Sequence, residues 1–174
     1  MSAAERKGRA GKPRLSHLDA KRRPGMVSIA DKAVTQRVAV AEARVKLPPS
    51  LARELKRLGH RTHKGPVFDT AVIAGVMAAK RTAEIIPLCH PLPLEHCSVE
   101  IGWRARGVLV VRCRVEVRHK TGVEMEALTG ATVAALTLYD MCKAWTHEIS
   151  IDAVRLISKS GGRRLVRAGK MVRA

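Results

Sequence analysis

Two runs of strict alternation flank the dipeptide Arg106-Gly107: Cys97, Val99, Ile101 and Trp103 before it, and Leu109 to Val117 after it. Apolar residues at every second position share one face of a strand. A tight glycine turn then folds the second strand back antiparallel to the first. Sliding the pair by one residue would turn every apolar side chain to water, so the register is strongly specified. A lone hairpin of this kind is marginal in water, and its apolar face demands a cover.

The rest of the chain supplies that cover. Residues 37–47 alternate in part (Val38, Val40, then Val45, Leu47) and read as a strand. Pro48-Pro49-Ser50 opens a short helix with Leu51, Leu55 and Leu58 on one face, closed by Gly59. Residues 60–65 form a polar, basic loop. The spacing of Val72, Val76 and Ala79, with Ile73 and Met77, predicts a helix over 68–85, stopped by Pro87, Pro91 and Pro93. A second long helix is expected over 123–144 and a closing strand over 149–157. The order β, α, β, β, α, β predicts an α+β fold: a ferredoxin-like (βαββαβ) sandwich with an extra short helix, its helices packed on one face of an antiparallel sheet. Aromatic residues make up only 2% of the chain, so Val, Ala, Leu and Ile must build the core, which favours close packing. The 123–144 helix is apolar nearly all round (Ala127, Leu128, Ala131, Val133, Ala134, Ala135, Leu136, Leu138), which points to a neighbouring subunit covering it.

The net charge of +18 is unevenly spread. Residues 1–25 hold eight cations against two acids, and residues 159–174 hold six cations and no acid. Two thirds of the excess thus lies at the ends, so residues 1–25 are expected to be a basic, disordered extension and 163–174 a basic, disordered tail. Residues 26–162 form the one folded domain. The tails can attract nucleic acid or membrane lipid nonspecifically through charge alone. No apolar run approaches the roughly 20 residues of a membrane span, and basic residues to Arg23 with no apolar stretch behind them do not make a secretory signal. Four cysteines (Cys89, Cys97, Cys113, Cys142) without CxxC or zinc-finger spacing suit reduced thiols in the cytoplasm.

Four charges in the second long helix ask for an explanation, because desolvating an unpaired charge costs several kcal/mol or more. Asp140 and Lys143, three apart, share a helix face; a partly desolvated lysine beside a carboxylate can exchange protons as general acid or base. Glu124 and Glu126 sit in the first turn, where the helix dipole favours anions. Dipole compensation accounts for one of them, and the pair also suits hydrogen bonding to a polar heterocycle such as guanine. The loop Pro87-Leu88-Cys89-His90-Pro91 fixes φ at both ends and so orients Cys89 and His90, as groups that position a substrate require. Cys-His adjacency without a second ligand pair makes no tetrahedral metal site, and no metal is expected. Arg37, Lys64, Lys80, Arg81, Lys143 and Lys159 are individually solvated cations; collectively they can meet a polyphosphate, with Gly161-Gly162 letting backbone amides approach. Neither a P-loop nor a Rossmann glycine motif is present.

Taken together, the segments Met26 to Lys32, His63 to Gly65, Ile73 to Gly75, Ala78 to Thr82, Ile86 to Leu92, Lys120 to Leu128, Val133 to Ala144 and Lys159 to Gly162 resemble the MoaC family, the cyclic pyranopterin monophosphate synthases of molybdenum cofactor biosynthesis. The resemblance implies a ferredoxin-like catalytic domain over 26–162 and a hexamer built as a trimer of dimers, with the site at a subunit interface. It implies conversion of a cyclised dihydro-GTP, supplied by an upstream radical enzyme, into cyclic pyranopterin monophosphate with release of pyrophosphate and no cofactor. It also implies Asp140 and Lys143 as catalytic residues, joined by Lys64. Leu88, Cys89, His90, Met125 and Glu126 correspond to substrate-binding segments, and Glu124, Arg37, Lys80 and Lys159 to charged pocket positions. The chain departs from the family pattern at Ser28 and Pro66, where Asp is usual, and at Arg163-Arg164, where a Lys-Ser-Gly step is common.

The competing reading is a basic RNA-binding module of RRM-like topology, which shares the element order. Such a module stacks bases on aromatics of its central strands, and the strands at 37–47 and 108–118 have none.

Overall fold

The computed structural model describes residues 23–162, 165–167 and 170–172. Its elements are β1 (Thr35–Lys46), α1 (Pro49–Arg57), β2 (Arg61–Thr62), β3 (Gly65–Pro66), α2 (Val67–Lys80), α3 (Thr82–Ile85), β4 (His96–Ala105), β5 (Val108–His119), α4 (Glu124–Cys142), β6 (Ser150–Ser160), β7 (Leu165–Arg167) and β8 (Lys170–Val172). The main sheet is antiparallel in the order β4-β5-β1-β6-β7-β8. Its first four strands, with α2 and α4 as the two crossovers, have the expected ferredoxin-like arrangement, and the helices pack on one face.

The hairpin forms as its alternation requires. Val99 pairs with Cys113, Ile101 with Val111 and Trp103 with Leu109, and Gly107 takes φ +74° in the turn. On β1 the faces differ from the expected ones. Ala39, Ala41, Ala43 and Val45 point to the helices and are fully buried, so Val38 and Val40 lie on the opposite face. That face also carries Glu42, 2% exposed, held by Arg112 at 3.1 Å and Arg155 at 3.4 Å. Burial pushes the Glu42 carboxyl up, but the two guanidiniums outweigh it and keep it below its usual value.

Small side chains set the layer spacing. Ala127, Ala131, Ala134 and Ala135 of α4 are fully buried, as are the alanines of β1 in the same core. Where α2 crosses α4, a Cβ on Gly75 would lie 2.9 Å from the Gly130 carbonyl oxygen and 3.0 Å from the Ala134 Cβ. The two helices therefore touch backbone to backbone, as a core with so few aromatics needs.

The helix expected over 68–85 is broken. Thr82, 1% exposed, donates its hydroxyl hydrogen to the Ala79 carbonyl at 3.0 Å, and Arg81 leaves helical geometry at φ −108°, ψ 15°. A side-chain donor thus caps the end of α2, and the chain restarts as the single turn α3. The polar loop at 60–65 is largely a miniature hairpin, with Arg61 paired to Pro66 and Thr62 to Gly65. Most of the extension 1–25 lies outside the described residues. In the tail expected to be disordered over 163–174, Leu165–Arg167 and Lys170–Val172 instead pair as edge strands, with Val166 buried at 8%.

Replacing Gly75 by Ala is expected to cost about 1–3 kcal/mol through overpacking, although Ala at an exposed helix position would gain up to about 1 kcal/mol. Urea denaturation measures this; Gly102→Ala, with nothing within 4 Å of the added methyl, serves as the neutral control.

Candidate active site

The α4 helix begins and ends in chemically different surroundings. At its start, the turn Thr121-Gly122 leads into Glu124, and a Cβ on Gly122 would overlap the Glu124 carboxylate. Glu124 accepts a 2.5 Å hydrogen bond from Lys159 Nζ on β6. Glu126 turns inward instead and is only 4% exposed. Desolvation pushes its carboxyl up to about 7, with its own backbone hydrogen bond opposing this and the Glu124 charge adding to it. A carboxyl poised near neutrality can give or take a proton at working pH.

Glu124, Met125 and Glu126 line a cavity of about 360 Å³ together with Leu88, Cys89 and His90 of the proline-bracketed loop. Cys89 and Glu126 are close enough for burial first, and the carboxylate second, to raise the thiol above its usual value. Val27, Ile29 and Lys32 close the cavity from the N-terminal arm. A second cavity of about 710 Å³ shares Lys32, Thr121, Gly122 and Glu124 with the first, so the two adjoin along this stretch of wall. Its walls carry the cations Lys32, Arg37, Lys120 and Lys159, with Asp31 as a further acid.

Backbone geometry fixes these cations. Gly161 has φ +87°, and a Cβ there would overlap the Gln36 carbonyl oxygen. The β6 end can therefore lie against β1 only with glycine at 161. Arg37 donates to the carbonyls of His119 at 3.1 Å and Lys120 at 3.4 Å. Gly162 leaves room for that guanidinium, since a Cβ would sit 2.7 Å from its Nη1. Lys120 Nζ donates to the Ala30 carbonyl at 2.6 Å, tying the N-terminal arm to the cleft. Ser28 Oγ accepts from the Ala30 amide at 3.4 Å, a turn contact of the kind an Asp side chain makes there.

The far end of α4 holds the other group. Asp140 Oδ1 is 2.8 Å from Lys143 Nζ and Oδ2 is 2.9 Å from Lys64 Nζ, which also donates to the Asp140 carbonyl at 2.9 Å. The hydrogen bonds from Lys143 and then Lys64 hold the Asp140 carboxyl down at about 2. Asp140 in turn raises the Lys143 ammonium above its usual value. In the single chain Lys143 is 48% exposed and ion-paired, so its ammonium is protonated at rest. Pro66 leaves the Lys64 contact intact.

Sixteen residues separate Glu124 from Asp140, which at 1.5 Å per residue puts the two groups about 24 Å apart. One chain therefore brings Leu88, Cys89, His90, Glu124, Met125, Glu126, Arg37 and Lys159 to one cleft, and Lys64, Asp140 and Lys143 to another place. Lys80 lies in neither place within the single chain; it is exposed at the end of α2. Lys32 and Lys120 belong to the cleft although charge patterning did not single them out. Their signal lay in the matched segments Met26 to Lys32 and Lys120 to Leu128. Arg163 lies outside the described residues. Among the described residues, no group of three or more His, Cys, Asp or Glu side chains is arranged to hold a metal ion, and no helix is long and apolar enough to cross a membrane.

Comparison with known proteins places this geometry in context. Residues 26–162 match the MoaC family. The chain is 55% identical over 157 residues to the cyclic pyranopterin monophosphate synthases of Xanthomonas oryzae pv. oryzae (strain MAFF 311018) and Xanthomonas axonopodis pv. citri (strain 306), covering 90% of this chain and 95% of each relative. The synthase of Thermomicrobium roseum is 51% identical over 150 residues, 86% of this chain and 89% of the relative.

The raised Glu126 carboxyl gives a pH signature. The folded state binds this proton more tightly than the unfolded state, so the contribution is fully present below the ordinary value of 4.5 and lost as pH rises through about 7. The loss amounts to about 3 kcal/mol. Glu126→Gln is expected to flatten stability between pH 5 and 8, as measured by urea titrations across that range; an unaltered pH slope would count against the buried, protonated carboxyl.

Proposed function

The chain belongs to the MoaC family, and on that footing we propose that it is a cyclic pyranopterin monophosphate synthase, a lyase of molybdenum cofactor biosynthesis. Its substrate is the cyclised dihydro-GTP made by an upstream radical enzyme. The observation that carries this reading is a pair of adjoining cavities, one lined by a near-neutral buried carboxyl and the other by four cations. A purine-derived head with exchangeable N–H groups suits Glu124 and Glu126. A triphosphate tail suits Lys32, Arg37, Lys120 and Lys159, since an ion pair at 4 Å is worth about 4 kcal/mol at an effective dielectric of 20, before desolvation.

In the chemistry, a ribose hydroxyl attacks the inner phosphorus; its O–H bond breaks as the new P–O bond forms, and pyrophosphate departs with the electron pair of the old P–O bond and, in the overall balance, the hydroxyl proton. Cations around the phosphates stabilise the charge that builds up in this step. Lys143 and Lys64, both bound to Asp140, supply and accept protons during opening and rebuilding of the ring system. Those three residues come from a second copy, because about 24 Å of helix separates them from the cleft of their own chain. A homo-oligomer also accounts for the apolar side chains left exposed on the long helices: Ile73 at 60%, Met77 at 48% and Leu136 at 54%. We take the assembly to be a hexamer, a trimer of dimers, in the cytoplasm, where the four free thiols stay reduced. Residues 26–162 are the catalytic domain, flanked by basic extensions.

Lys143→Ala is expected to keep fold and oligomer but lose turnover by orders of magnitude, followed as fluorescent oxidised pterin. Glu126→Gln is expected to lose it likewise. Co-refolding the two inactive variants in equal amounts should restore about a quarter of the sites, since each shared site then draws one intact group from each chain. Persistent inactivity of the mixture would place both groups on one chain and reject the shared site.

A further inference from the structure

The two-stranded hairpin β2–β3 presents Lys64 to Asp140, yet it has only two residue pairs, Arg61 with Pro66 and Thr62 with Gly65. A ribbon this short does not hold itself. Both of its strands meet at His60. Arg61 follows it in the chain, and the Val67 amide donates to the His60 carbonyl at 2.9 Å, closing the hairpin at its root. His60 in turn is gripped by three other elements. Its amide donates to the Leu55 carbonyl of α1 at 2.8 Å. Its ring stacks on Phe68 of α2 at 4.2 Å between centroids and 17° between planes. Its Nε2 accepts a 3.1 Å hydrogen bond from the indole N–H of Trp103 on β4, whose ring is itself covered by Lys56 Nζ at 4.4 Å.

His60 also has φ +60°, directly after Gly59 at φ +58°. A side chain in this left-handed region costs roughly 1–2 kcal/mol relative to the ordinary helical geometry. Glycine would satisfy the backbone at no steric cost, so turn geometry by itself gives no reason for an imidazole here. The aromatic inventory of the chain is four residues, and two of them, Phe68 and Trp103, contact this one ring.

We propose that His60, clamped between Phe68 and the Trp103 indole, is a positioning residue that fixes the Lys64 hairpin so that the Lys64 ammonium sits on Asp140 in the geometry the proton-transfer step needs. The inference rests on the reading of Lys64 and Asp140 as catalytic. His60 touches no reacting atom; it acts through the β2–β3 backbone. Loss of the clamp leaves the substrate cleft near Glu126 untouched, so it lowers kcat and leaves KM nearly unchanged.

The test uses the full-length chain with His60→Gly, which keeps the left-handed backbone and removes the ring, and Trp103→Phe, which removes the indole donor and keeps an aromatic. Each is expected to lower kcat roughly ten- to a hundred-fold, the scale of a misplaced catalytic group, with KM within about two-fold. Hydrogen exchange of peptides covering 61–66 should speed up in both variants, while peptides covering 108–119 stay protected. The deciding arm is Lys64→Ala combined with His60→Gly. Because His60 acts through Lys64, the double variant should turn over no more slowly than Lys64→Ala alone. A further ten-fold loss in the double variant, or unchanged exchange at 61–66, would overturn the clamp and leave the synthase reading standing. Wild-type turnover by Lys64→Ala would instead remove Lys64 from the mechanism, and the clamp's role with it.

Discussion

Backbone contact between α4 and its neighbours governs the rest of this molecule. Alanines on β1 meet alanines on α4, and Gly75 of α2 meets Gly130 of α4, so the middle of the helix is sunk into the core with no room for a larger group. The buried span has no polar side chain between Ala127 and Leu138 among its fully buried positions. Only its two ends reach the rims of the sheet, and both ends carry charge. Burial of the middle thus decides where the chemistry lies and how far apart its two parts are.

The two carboxyl groups on this one helix are driven in opposite directions. Glu126 has lost water and gained no cation, so its proton is held up to about 7. Asp140 keeps half its exposure and gains two ammonium groups, so its proton is gone at any physiological pH. Environment, not residue type, makes one a candidate proton carrier and the other a fixed anion that holds two lysines together. Between them the chain provides a buried carboxyl that holds its proton to near neutrality, an ionised anchor and a set of cations.

Much of this was legible from the chain alone, for identifiable reasons. The β4–β5 hairpin announced itself by alternation, and the βαββαβ order led to the correct sheet. The i, i+3 spacing of Asp140 and Lys143 survives as a 2.8 Å ion pair, because three residues along a helix cannot separate their side chains. Elsewhere local pattern misled. On β1 hydrophobicity points to the larger Val38 and Val40, while the core takes the alanines, because space under α4 is limiting. The break at Thr82 was hidden, since a buried hydroxyl bonding back to Ala79 leaves no signature in periodicity. Lys80 stands at the exposed end of α2, away from the rim where the start of α4 meets the end of β6 in the same chain.

Alternation, helix spacing and turn residues are short-range properties, so the elements, their order and the pairing of near neighbours such as Asp140 with Lys143 are written in the linear chain. Convergence of remote segments is not: the arm at 27–32, the loop at 88–90, the start of α4 and the end of β6 meet only because the sheet order brings them to one rim. The same holds for Lys64, seventy-six residues from its partner Asp140, and for desolvation of Glu126, which depends on what surrounds it in space. Charge state and site geometry are set by neighbours in three dimensions, and sequence distance carries no measure of that.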